Sequence, residues 1–262
     1  EELGIPLLLS NFIAVFVTNI PKQFVESKYP IENYPDVFAN FSFAFTLLSF
    51  ANVFLTAVSI VLYPTLKKSN EDELKKSYSS FNAAIIVVTF ISISAYFPSV
   101  WIVNRFLPSY TDALKYFFIL APGLAITSAI TVIKHNYYKT FNMNNKFLIL
   151  GIIVLSVMLL GVHAIYFLIS KEVIYIAIFT AVIQLLWYIL TEEIMIKKIH
   201  SRSYKNYIYI LAASTLFYGT IFLNSNLLSL MIYILTVIII TLLIYWKEFK
   251  ILIKKYFLKN FN

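Results

Sequence analysis

Cysteine is absent from all 262 residues, histidine occurs three times, glycine five times, and only 13% of the residues carry charge. Without thiols there is no disulfide framework, no thiolate metal site and no cysteine nucleophile. The histidines, His135, His163 and His200, are not spaced as a metal-binding pair. No H-E-x-x-H, G-x-x-x-x-G-K-[ST] or G-x-S-x-G motif occurs, and no pair of acids stands near a histidine. The chain therefore does not read as an enzyme, and no cofactor or metal is expected. Uphill work by such a chain must draw on an ion or substrate gradient rather than on ATP bound to it.

What is present is apolar sequence: 60% hydrophobic residues and 18% aromatics, with a mean hydropathy of +0.79. Soluble domains carry roughly a quarter charged residues. The apolar residues fall in runs of about 20, the length that crosses a hydrocarbon layer as a helix. The pattern predicts an all-α polytopic membrane protein with eight spans, near 4–21, 37–63, 81–106, 112–139, 146–170, 173–196, 206–223 and 227–246. A polar segment, Lys67 to Lys76, separates the second and third as a loop or a surface helix. A basic segment, Lys197 to Lys205, comes after the sixth. The organisation reads as six plus two, with a six-helix lobe over 1–200 and two further helices and a basic tail over 201–262.

The net charge of +8 does not point to nucleic acid, because the lysines edge apolar runs instead of forming one basic face with interleaved aromatics. Alternate connections are lysine-rich (Lys67, Lys68, Lys75, Lys76; Lys134, Lys139, Lys146; Lys197, Lys198, Arg202, Lys205; then the tail), while the others hold few. The positive-inside rule places the rich side, and both ends, in the cytoplasm. The expected location is the cytoplasmic (inner) membrane, crossed many times, with membrane lipids as partners. The opening Glu1, Glu2, Leu3, Gly4 shows neither an initiator methionine nor a basic leader, which reads as a chain whose start is missing.

Polar groups inside apolar spans tend to face the bundle interior or a water-filled path. Ser42, Thr46, Ser49, Asn52, Thr56, Ser59 and Tyr63 recur every three or four residues and so line one side of the second span. They serve either a path or close helix packing. In the fourth span Thr127, Thr131, Lys134 and Tyr138 share a face, flanked by Ser128 and His135 and preceded by Pro122 and Gly123. Lys134 lies about 33 Å along that helix, so it either snorkels to the interface or meets an anion in a cavity. Asn11, in the first span, and Lys22, at its outer edge, complete the substrate-path candidates: Asn11, Lys22, Asn52, Lys134 and His135. Glu192 and Glu193 are read as interfacial partners of Lys197 or Lys198, with Glu192 alternatively a proton or cation site. His163 reads as a packed, hydrogen-bonded histidine.

Three segments resemble the polysaccharide and O-antigen flippases of the multidrug/oligosaccharidyl-lipid/polysaccharide (MATE-like) exporter superfamily. They are Thr18 to Glu26, which reads T-N-I-P-K-Q-F-V-E; Leu62 to Lys68 before the acidic-basic loop; and Tyr138 to Phe141 with Asn145 and Lys146. Tyr34, Pro35, Asp36 and Val37 stand where that family usually carries a glycine. The resemblance implies the second lobe of a two-lobed transporter. Such a protein moves a lipid-linked oligosaccharide between leaflets by alternating access, beside other glycan-assembly proteins. The alternatives are an ion-coupled multidrug exporter of the same fold, or a membrane enzyme or scaffold of cell-surface glycan assembly.

Overall fold

The computed structural model describes residues 4–30, 32–200, 204–223 and 225–256. They form ten α-helices, with no strand among the described residues. α1 covers Gly4–Lys28, α2 Pro35–Lys67, α3 Glu71–Ser92, α4 Tyr96–Phe106 and α5 Ala113–Ala129. α6 covers His135–Thr140, α7 Asn144–Ala164, α8 Val173–Ile199, α9 Lys205–Gly219 and α10 Asn226–Tyr256. α3 and α4 run on through a short 3₁₀ turn at Ile93–Ala95, just before Pro98, whose missing N–H cannot reach back one turn. α5 and α6 run on through a π-helical segment, Ile130–Lys134, and α7 ends in a second one, Ile165–Ile169.

Among the described residues, five rods are long and apolar enough to cross a membrane: Glu71–Phe106, Ala113–Thr140, Asn144–Ile169, Val173–Ile199 and Asn226–Glu248. All eight expected segments fall on helices, but α9, at 15 residues, gives way to a 3₁₀ turn, Thr220–Phe222, before it reaches a full span. Of the two readings of the Lys67 to Lys76 segment, the structure shows a short turn over 68–70 followed by helix from Glu71. Asn70 accepts from the Glu73 N–H at 2.8 Å while Glu73 returns a bond to the Asn70 N–H, a capping box that starts α3. Glu71, Asp72 and Glu73 then place negative charge at the positive end of the helix dipole.

The rod Ala113–Thr140 is the centre of the bundle, with 82% of its apolar window buried, against 22% for α10. α8, α2 and α3 surround it, and α1 packs on α7. Glycine permits the closest approach: a Cβ at Gly123 would collide with the Gln184 side chain and lie 3.0 Å from the Ala181 Cα of α8. The start of α5 is capped from α2, where Asn40 Oδ1 accepts the Ala113 N–H at 3.0 Å. The bundle surface is apolar, with Leu160, Leu168, Phe222 and Leu243 each more than 70% exposed. An aqueous exterior penalises such a surface and hydrocarbon does not.

Candidate functional site

The π-helical segment sets the site. An α-helical spacing would keep Thr127, Thr131, Lys134 and Tyr138 on one stripe, but five residues wound more widely rotate the next turns of the rod. Lys134, the last of them, is thereby aimed at α8 and is wholly buried. Its Nζ lies 3.0 Å from Glu192 Oε2, and the two side chains are 0% and 3% exposed. The ammonium also donates to the Tyr188 carbonyl at 2.8 Å and to Thr191 Oγ1 at 3.2 Å, and it sits 3.2 Å from the centre of the Tyr188 ring. Carbonyl, hydroxyl and ring face all present negative potential to the cation.

Glu192 is gripped from the other side. The Tyr78 hydroxyl donates to its Oε2 at 2.6 Å, Asn82 Nδ2 donates to both oxygens at 3.2 Å, and Asn206 Nδ2 donates to Oε1 at 3.1 Å. Asn206 is held in turn by the Tyr245 hydroxyl at 2.8 Å, and the Tyr138 hydroxyl donates to the Thr191 carbonyl at 2.9 Å. One charge-neutral cluster thus ties together α3, the π-helical segment, α6, α8, α9 and α10. Desolvating two ions costs several kcal/mol each, and only close pairing with all remaining lone pairs and protons satisfied offsets it. Both ions here have several close partners, while Asn82 Oδ1, at the edge of the cluster, has none among the described residues.

The buried pair replaces the partners expected from spacing. Glu192 pairs with Lys134 and not with Lys197 or Lys198, because its side chain points into the bundle. Glu193 accepts from the Tyr207 hydroxyl at 3.1 Å. Lys134 does not snorkel, since Glu192 supplies its counter-charge inside. His135, its chain neighbour, stacks flat on Phe147 at 4.8 Å, and its Nε2 has no hydrogen-bond partner among the described residues. Lys22 is half-buried on α1 near the end of the bundle that holds the start of α5, roughly 30 Å of helix from Lys134. Asn11 and Asn52 lie on α1 and α2 with side chains outside the described residues. His163 bonds the Leu159 carbonyl at 2.8 Å and packs edge-on against Phe24.

Two other polar features stand out. Gln184 and Trp187, up α8 from the pair, bury side-chain N and O atoms with no partner among the described residues. Among the members of the α2 polar stripe whose side chains are described, Thr46 and Ser49 are exposed and bond to carbonyls of their own helix, while Ser42 and Tyr63 are half-buried. No group of His, Asp and Glu able to hold a metal occurs among the described residues.

Of this cluster, Lys134 and Glu192 stood out in the sequence, whereas Tyr78, Asn82, Asn206 and Tyr245 did not. The available signal was Tyr78 and Asn82 standing four apart on one helix face. Searches with family models, curated proteins and solved structures find no match to this chain.

Proposed function

We propose that this chain is a polytopic membrane transporter, one lobe of a two-lobed flippase that carries a lipid-linked oligosaccharide or polysaccharide precursor across the cytoplasmic membrane by alternating access. The observation that carries the proposal is the pair of outward-facing hydroxyls on α2, Thr46 and Ser49. Thr46 and Ser49 are exposed on a helix of 33 residues whose opposite face, with Phe41, Ala44 and Leu48, is buried. Hydroxyl groups facing hydrocarbon gain nothing from it, whereas a water-filled cleft or a second lobe rewards them.

Two further features support movement of this bundle. Pro122, which has no N–H to donate, lies inside α5 beside the close approach at Gly123, and Gln184 in the same seam holds polar atoms with no partner among the described residues. Water entering that seam satisfies those atoms, which lowers the cost of opening. Glu192 does not favour drug efflux, because its carboxylate already holds Lys134 and offers no unpaired charge to a cation. The substrate class comes from the resemblance of Thr18 to Glu26, Leu62 to Lys68 and Tyr138 to Lys146 to glycan-lipid flippases.

The test is leaflet translocation of a fluorescent lipid-diphosphate oligosaccharide by the full gene product in proteoliposomes. The parent is expected to translocate, and the Thr46→Leu/Ser49→Leu variant to lose most of the rate at unchanged thermal stability. A well-folded parent that moves no such lipid transfers the weight to drug export or scaffolding.

A further inference from the structure

Away from the buried pair, the lysine-rich end of the bundle holds a cavity of about 480 Å³ between α3, the start of α7 and the end of α8. Its rim carries Lys75, Lys146, Lys197 and Lys198, and its walls include Met143 and Ile194. Four ammonium groups face a single carboxylate, Glu71, which lies 3.1 Å from Lys75 and 3.0 Å from Lys198. Lys146 and Lys197 are exposed and have no ion pair among the described residues. α7, 21 residues long, begins at this cavity without a side-chain cap, so its first N–H groups and its dipole add positive potential.

We infer that this cavity is a binding site for a phosphate group carried on an anionic membrane lipid. The ammonium groups surround a space large enough for a headgroup, and the apolar Met143 and Ile194 wall suits the glycerol and upper acyl region. Basic pockets between membrane helices at the cytoplasmic surface are suited to anionic headgroups, and each lysine near such a surface contributes about a fivefold gain in affinity. Glu71 occupies Lys75 and Lys198 until a phosphate competes for them.

Native mass spectrometry of the full-length chain in detergent tests the site, with phosphatidylglycerol, phosphatidylcholine and inorganic phosphate as separate probes. Phosphatidylglycerol is expected to stay bound where phosphatidylcholine does not. Lys146→Gln/Lys197→Gln is expected to weaken it about 25-fold. Lys67→Gln/Lys68→Gln, which removes equal charge from the same end outside the cavity, leaves binding within about twofold. Glu71→Gln raises affinity about fivefold, a gain that a damaged fold cannot mimic. Equal losses in the two lysine pairs, or retention of phosphatidylcholine as firmly as phosphatidylglycerol, overturn the site. Inorganic phosphate binding as tightly as the lipid overturns the lipid as its source.

Discussion

Removing one half of the Lys134–Glu192 pair is predicted to cost far more than removing both charges. Lys134→Met leaves a carboxylate that is 3% exposed with only the neutral donors of Tyr78, Asn82 and Asn206. An unpaired buried charge typically costs about 3–5 kcal/mol, and the same loss is expected for Glu192→Gln, which strands the ammonium on the Tyr188 carbonyl and the Thr191 hydroxyl. In the double variant neither charge is present, and the glutamine oxygen still accepts from Tyr78. Its stability should lie within about 1–2 kcal/mol of the parent, giving a coupling energy of several kcal/mol. Reversible unfolding in mixed micelles, titrated with SDS and monitored by the fluorescence of the buried Trp187, measures all four corners of the cycle. A loss below about 1 kcal/mol for Lys134→Met, or a double variant as unstable as the two singles added, would show that the charges are hydrated and refute the reasoning.

Gly123→Ala should destabilise the protein by about 1–3 kcal/mol, because the new Cβ meets Gln184 and the Ala181 backbone and the seam cannot close; the same SDS titration reads it. Asn70→Ala removes the side-chain oxygen that accepts the Glu73 N–H, leaving only the backbone half of the capping box, and should cost about 0.5–2 kcal/mol, seen as faster amide exchange across the first turn of α3 with little change elsewhere. Asn40→Ala strips the cap from α5 and should lower stability by about 1 kcal/mol, while Asn40→Asp, which keeps the acceptor, should retain most of it. Thr46→Leu/Ser49→Leu is expected to leave unfolding unchanged within about 0.5 kcal/mol, since both side chains are exposed.

The helical content and the places of the helices are dictated by the apolar runs, because backbone groups in apolar surroundings must bond within their own helix. The start of α3 was legible in part: Asn70 with Glu73 three residues later is a capping signal, although the charges of Lys67 to Lys76 suit a loop as well as a surface helix. Two things were not legible. The π-helical segment Ile130–Lys134 has no proline or glycine to announce it, and without it the face of Lys134 cannot be assigned. The pairing of Lys134 with Glu192 depends on which helices become neighbours, and hydropathy carries no information on that. Charge at the edge of an apolar run therefore looks interfacial, even where the fold turns it inward.

The buried pair also bears on the order of synthesis. Lys134 leaves the ribosome roughly 60 residues before Glu192, which at about 5–20 residues per second is an interval of some 3–12 s. Throughout it the middle helix carries an ammonium that its own bundle cannot neutralise. Asn206 and Tyr245, which complete the grip on Glu192, emerge later still. The element at the centre of the bundle therefore cannot complete its own polar cluster until α8, α9 and α10 have been translated.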